Sequence, residues 1–180
     1  MKLTSTAIPD VVLIEPTVYE DGRGWFMESF NEQRFHAELQ KLSLPVPRLL
    51  CRTTIPAPRK ACCAAYISNA ILMPKSKLVR VVNGAAFDVA VDIRPDSPTF
   101  GKWVGVELSA ANKHMLDSRR LRLWLSRSGR RYRVPVQDDG LLHKECEGAI
   151  RWDDRGLDIV WPHIEEGVRV SEKDEQADLF

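Results

Sequence analysis

The sequence predicts an all-β domain of the antiparallel sandwich, jelly-roll or barrel kind. Two observations carry that reading. Short apolar or alternating runs recur at even spacing, with turn residues between them. And the stretch from Lys77 to Arg94 reads KLVRVV, then Asn83-Gly84, then AAFDVAVDIR. Asn-Gly between apolar runs is the strongest short hairpin signal, because a type I′ turn needs φ > 0 at both central residues.

The elements follow in chain order. Val11 to Ile14 is a short apolar run stopped by Pro16, which suits a buried strand. Glu20-Asp21-Gly22 reads as a turn, and Arg23 to Phe30 as an aromatic-rich strand. Asn31 is a good N-cap, and Phe35, Leu39 and Leu42 fall at i, i+4, i+7, so a short amphipathic helix follows. After Asn-Gly, Phe87, Val89, Val91 and Ile93 share one strand face; Asp88, Ala90, Asp92 and Arg94 share the other. Ser97 to Gly101 is a turn and Trp103 to Leu108 a further strand. Ala149 to Trp152 and Leu157 to Trp161 read as two more.

One domain is expected from 180 residues, with 44% hydrophobic and 28% charged residues to build and solvate a single core. A formal net charge of +1 suggests neither a nucleic-acid nor a membrane partner. No apolar run approaches the ~18 residues a membrane span needs, and the first ten residues lack the apolar core of a signal peptide. A cytoplasmic location is expected, with the four Cys as free thiols. There is no Gly-rich phosphate loop, no CxxC pair and no metal-binding His cluster; His36, His114, His143 and His163 are scattered.

Two stretches depart from the even patterning. From Leu39 to Phe87 no Asp or Glu occurs in 49 residues, and three of the four Cys (Cys51, Cys62, Cys63) lie within it. Between Arg119 and Arg133 there are seven Arg in fifteen positions, with Trp124 and Tyr132 interleaved.

Three blocks carry a specific resemblance. They are IPDVVLIEPTVYEDGRGWFMESFNEQRF, KLVRVVNGAAFDVAVDIRPDSPTFGKWVGVELSAANK, and ECEGAIRWDDRGLDIVWP with SEKD. In this order, over roughly two thirds of the chain, they resemble the dTDP-4-dehydrorhamnose 3,5-epimerases. The resemblance implies a cupin-type jelly roll with a short N-terminal and a short C-terminal helix. It also implies a homodimer, no cofactor and no metal. The substrate would be a dTDP-linked 4-keto-6-deoxyhexose on the way to dTDP-L-rhamnose. Carbons 3 and 5 flank the ketone, so their protons are acidic. A base removes one, the enolate is stabilised, and an acid returns a proton to the opposite face.

In that family the base is a histidine in R-G-L-H, paired with an aspartate, and the acid is a tyrosine in Y-K-T-T-x-Y-Y. Neither motif is present. They should fall where the chain reads CRTTIPAPRKACCAAYISNAILMPK and LDSRRLRLWLSRSGRRYRVPVQDDGLL, the two odd stretches. Joining the last base of each codon from Arg52 to the first two of the next allows D-N-H-S-S-S-T-Q-G-V-L-R-G-L-H-I-Q. Joining the last two bases of each codon from Leu116 to the first of the next allows W-I-P-A-G-F-A-Y-G-F-L-V-L-E-D-A-T-E-F-Q-Y-K-T-T-G-Y-Y. Both missing motifs return at their expected places. One departure survives: a second family histidine after G-F-A cannot be encoded in this frame. Residues of about 49–76 and 117–143 are therefore expected to be out of frame within the single domain of residues 1–180, and to fit the barrel poorly.

By motif match, Arg23 and Glu28 resemble the family's nucleotide-sugar contacts. A guanidinium fork suits a diphosphate; the plain alternative is a strand salt bridge. Lys77 opens KLVR and, by resemblance, lies in the substrate pocket, where its charge could stabilise an enolate oxygen; the alternative is a solvated strand end. Glu147 matches a substrate-contact glutamate and otherwise reads as a loop charge. Lys173 and Asp174 lie in SEKD, where Asp174 matches the aspartate that orients the catalytic histidine; Ser171 and Asp174 also resemble a capping box. Asp88 and Asp92 form a carboxylate pair but match any half-solvated strand, and are not taken as site residues. The Arg-rich stretch would suggest nucleic-acid binding, which the frame reading makes unnecessary.

Three functions compete. The first is the epimerase, its base and acid hidden by frame errors. The second is a catalytically dead jelly-roll remnant that at most binds dTDP-sugar. The third is a basic nucleic-acid-binding module, with salt-dependent affinity.

Overall fold

The computed structural model describes residues 1–46, 52–54, 64–66, 76–119, 122–126, 136–138, 150–162, 170, 172–177 and 179–180, with the backbone alone for 52–54, 64–66, 76, 119, 122–126, 136–138 and 173–174. Twelve strands and two helices occur among them. In order these are β1 (Lys2–Ser5), β2 (Val11–Glu15), β3 (Val18–Asp21), β4 (Gly24–Met27), α1 (Glu32–Lys41), β5 (Arg52–Thr54) and β6 (Ala64–Tyr66). Then come β7 (Ser76–Arg80), β8 (Ala85–Val91), β9 (Trp103–Ser109), β10 (Met115–Arg119), β11 (Arg122–Ser126), β12 (Val136–Asp138) and α2 (Glu172–Glu175). No helix among the described residues is long and apolar enough to cross a membrane.

Two antiparallel sheets form the jelly roll, in the orders β1-β2-β10-β7-β12-β5 and β6-β11-β8-β9, and β3-β4 is a separate ribbon. Their inner faces meet in one apolar cluster. Val11, Val79, Val81 and Leu116 come from the first sheet or its margin; Ala86, Ala90 and Leu108 come from the second. Each sheet also has a covered outer face. Val12, Ile14, Leu78 and Met115 pack under Phe35 and Leu39 of α1. Val89 and Val91 pack under Ile150, Leu157, Trp152 and Trp161. Strands buried on both faces explain why the aspartate face of β8 is not a solvated one: it points into the barrel.

Helix α1 forms as its sequence dictates. The Asn31 side chain accepts from the Arg34 amide, Glu32 occupies the first turn and Lys41 the last. Phe35 and Leu39 are fully buried, whereas Leu42 is the C-cap and is exposed, so the apolar stripe is one residue shorter than its spacing predicts.

Three expectations need correction. Asn83-Gly84 does not close a ladder-paired hairpin. β7 pairs with β10 and β12, and β8 with β9 and β11, so the dipeptide is a corner between sheets. Only Gly84 has positive φ (76°) there, so the turn is not type I′. Local turn chemistry is satisfied by the corner, and long-range partners take the strands. Second, Glu20 and Asp21 lie in β3, and the turn is Gly22–Arg23, followed by Gly24 at φ 133°. Third, the segment from Arg151 to Trp161 is turn and irregular chain. It caps a sheet with its side chains and adds no strand; Ala149 lies outside the described residues. β1 had no counterpart in the sequence reading; its pairing with β2 supplies its order.

Candidate active site

Lys77 sits near the start of β7, two residues before Val79 of the inner cluster, and is 4% exposed. A buried ammonium is costly without anionic company. Asp88 supplies it from the facing sheet. Asp88 is fully buried, and neither carboxylate oxygen has a well-formed hydrogen bond among the described residues. Burial pushes Asp88 well above the ordinary carboxylate range; the Lys77 charge and the Val89 amide draw it partly back. Ser118, opposite Lys77 in the β10–β7 register, adds a buried hydroxyl with no hydrogen-bond partner among the described residues. The barrel interior thus holds a cation, a carboxyl able to carry a proton, and a hydroxyl. An enolate oxygen needs the first, and a proton transfer needs the second.

The other carboxylate on that strand face is spent on structure. Asp92 accepts from Arg94 Nε (2.9 Å) and Nη2 (2.7 Å), Ser97 Oγ (2.6 Å) and Thr99 Oγ1 (2.6 Å). Arg94 also pairs with Asp10. Burial raises the Asp92 pKa, but the bonds from Arg94, Ser97 and Thr99 more than reverse this and hold it well below the carboxylate range. The Asp92 contact, partly opposed by burial, raises Arg94.

Arg23 and Glu28 belong to the ribbon and its junction with α1. Arg23 is at the exposed ribbon tip and pairs with Asp21 (Nη2–Oδ2 2.6 Å), a contact that raises its pKa. Glu28 accepts from Asn31 Nδ2 (2.9 Å) and Arg34 Nη1 (3.1 Å), so it braces the helix start. Phe26 is 69% exposed and Trp25 56%; together with Tyr19 and Arg23 they line an open concavity of about 540 Å³. Lys113 lies 4.7 Å over the Trp25 ring. Glu147 lies outside the described residues. Lys173 and Asp174 fall in α2, their side chains outside what is described.

Of the expected residues whose side chains are described, Lys77 lies in the barrel interior, whereas Arg23 and Glu28 lie on the outlying ribbon and its junction with α1. Asp88 is the residue the sequence reading passed over. Alternation divides a strand into two faces without saying which one is inside.

The profile of the dTDP-4-dehydrorhamnose 3,5-epimerases matches residues 5–180. The chain belongs to that family. The epimerase of Pseudomonas aeruginosa is 37% identical over 188 residues, covering 100% of this chain and 96% of the relative. That of Escherichia coli K12 is 35% identical over 184 residues, covering 98% and 92%. Among solved structures, the Legionella pneumophila epimerase in complex with dTDP-4-keto-L-rhamnose superposes with a TM-score of 0.88 at 33% identity, over 99% of this chain and 92% of that one. The Elizabethkingia anophelis epimerase gives 0.89 at 33%, over 100% and 96%. The family's jelly roll is thus the fold that the described residues adopt.

Proposed function

We propose that this protein is the sugar-nucleotide isomerase its family implies. It converts dTDP-4-dehydro-6-deoxy-D-glucose to dTDP-4-dehydro-L-rhamnose, without cofactor or metal. The observation that carries the reading is the buried Lys77 beside Asp88 inside the barrel. The C–H bond next to the ketone gives its proton to a base. The electron pair moves onto the ketone oxygen, where the Lys77 ammonium stabilises it. An acid then returns a proton to the opposite face of the same carbon, first at one centre and then at the other. Arg23 and Glu28 on the ribbon, with Glu147 and Lys173, hold the nucleotide end, and Asp174 orients the base.

The base and acid come from R-G-L-H and Y-K-T-T, so residues of about 49–76 and 117–143 are read as out of frame. Their absence favours a second reading for the chain as it stands: a remnant that binds dTDP-sugar without turnover. The exposed aromatic ribbon supports the homodimer, because a soluble monomer seldom displays such a patch. The cytoplasm, where nucleotide sugars are made, is the expected compartment.

Incubation with the 4-keto sugar in deuterated water tests the reading. Mass spectrometry of the recovered sugar is expected to show deuterium at carbons 3 and 5 with the frame-restored protein and none with the present chain. Lys77→Ala in the restored protein is expected to slow exchange by about 10²–10³-fold. A restored protein that neither binds dTDP nor exchanges either proton contradicts the proposal.

A further inference from the structure

We infer that Asp154 and Phe180 form a latch that fixes the segment carrying α2 against the barrel, which makes Asp154 a positioning residue for Lys173 and Asp174. The roles of those two rest on the epimerase reading; the latch rests on geometry alone.

The need for a latch comes from α2 itself. It has four residues, Glu172–Glu175, and a bond from the Gln176 amide to the Glu172 carbonyl (3.1 Å) closes it. A single helical turn does not hold in water by its own hydrogen bonding. Glu172, Glu175 and Gln176 are all exposed, so they add no apolar burial. The place of α2 is therefore set by what the flanking chain is tied to.

Phe180 is tied at two points. Its amide donates to Asp154 Oδ2 (2.7 Å). Its ring lies against Phe100, with centroids 4.9 Å apart, and covers Gly101, where an added Cβ would come to 3.5 Å from Phe180 Cε1. Both supports are themselves fixed. The other oxygen of Asp154, Oδ1, accepts from the amides of Gly156 (2.7 Å) and Leu157 (3.0 Å). Leu157 is buried and packs with Val89 and Val91. Phe100 and Gly101 belong to the turn that Asp92 organises: the Gly101 amide donates to the Asp92 carbonyl (2.8 Å) and the Phe100 amide to that of Ser97 (3.1 Å). Asp154 is 5% exposed, and a carboxylate so buried is costly unless its oxygens are occupied. Burial raises its pKa, and the amides of Phe180, Leu157 and Gly156 more than reverse this. From Glu175 to Phe180 the chain can reach at most about 18 Å, so a latched Phe180 confines α2 to the neighbourhood of Asp154. Arg151, at the head of the same turn, draws α2 the same way. Its first partner is Asp153 (Nη2–Oδ2 2.7 Å), and the charges of Asp154 and of Glu175 in α2 act on it too.

Asp154→Asn separates the latch from the turn. Asparagine keeps one acceptor oxygen, which the two turn amides retain, and presents an N–H group to the Phe180 amide. Amide hydrogen exchange is followed residue by residue by NMR on the isotope-labelled full chain. The Phe180 and Gln176 amides are expected to be protected together in the wild type and to exchange about 10- to 100-fold faster in the variant, while amides of β2 and β8 keep their rates. An unprotected Gln176 amide in the wild type, an unchanged one in the variant, or an equal loss across the strands overturns the inference. Phe180→Ala spares the turn and is expected to move Gln176 in the same direction; it decides the matter if Asp154→Asn does not fold.

The consequence for the site is read in the frame-restored protein. There Asp154→Asn is expected to move the acid limb of the sugar-exchange rate to lower pH by about one unit, because a displaced aspartate no longer raises the pKa of the base. A smaller folded fraction would lower the plateau and leave the limb in place, and that result would strip Asp154 of its positioning role. A restored protein that exchanges no sugar proton at any pH would sink the epimerase reading instead, with the amide rates of the present chain still deciding the latch.

Discussion

Two carboxylates, Asp88 in β8 and Asp92 one residue past its end, behave oppositely, and pH separates them. Asp92 is held below the carboxylate range by Arg94, Ser97 and Thr99. Its contribution is therefore complete above the unfolded value of about 4 and is lost as pH falls below that toward the folded value. Asp92→Asn is expected to cost about 3 kcal/mol in urea unfolding at pH 7, because Arg94 loses its principal buried partner. The loss should shrink as the pH drops below 4. Asp88 is raised by burial, so it favours the folded state at low pH and burdens it as pH climbs through the unfolded value. Asp88→Asn is expected to shift the urea midpoint upward at pH 8 and to shift it less at pH 4. A variant destabilised equally at both would show that Asp88 has an anionic structural role. Neither fate was legible in the sequence. Both residues obey the same alternation, and their difference comes from the turn at Ser97–Thr99 and from Lys77 on another sheet. The place of Lys77 at the start of a strand was legible, because its strand motif is intact.

Among the elements, β8 and β9 show how a sheet surface is tailored to what covers it. Gly105 lies opposite Val89 on the outer face. A Cβ there would fall 2.3 Å from Phe87 Cζ, so the absent side chain is the space the Phe87 ring occupies. That ring meets Trp161 edge-on at 6.2 Å, and Trp161 meets Trp152 at 6.4 Å. Gly105→Ala is expected to cost about 1–3 kcal/mol by overpacking. Phe87→Leu in the same chain should recover part of the loss, so the pair is non-additive in a thermal-unfolding cycle. Additive losses would show that the ring and the glycine are independent. At this scale the helix was readable almost to the residue, because its N-cap and stripe are local. The Asn83-Gly84 corner was misread because a turn signal reports local backbone geometry, and ladder partners are chosen by residues far along the chain. Trp152 and Trp161 were assigned to strands for the same reason: their apolar character is real, but it serves a cap.

At the scale of the whole molecule, the ribbon displays Tyr19, Trp25 and Phe26 to solvent. If these aromatics are covered by a second copy, the melting temperature rises with protein concentration. Replacing Trp25 and Phe26 by Ser together is expected to abolish that dependence and to shift sedimentation from dimer to monomer. A wild-type protein that sediments as a monomer across the micromolar range would remove the dimer from the account. Strand spacing made an antiparallel sandwich, jelly roll or barrel readable; the jelly roll among these, and the family, came from the resemblance of three in-frame blocks. The partition of strands between sheets was not readable, since it rests on pairings such as β2 with β10 that no local window contains.

That pairing has a kinetic side. β2 (Val11–Glu15) ends a tenth of the way along the chain, yet one of its two edges stays open until β10 (Met115–Arg119) exists. During synthesis an apolar strand thus waits, paired only with β1, while roughly a hundred further residues emerge at about 5–20 per second. Such non-local topology belongs to the slow class of folders, on the millisecond-to-second scale. An open strand edge is also a template for the wrong partner. A chain cut short before residue 115 would keep that edge exposed for good, so fragments of this protein should collect in inclusion bodies even where the full-length chain stays in solution.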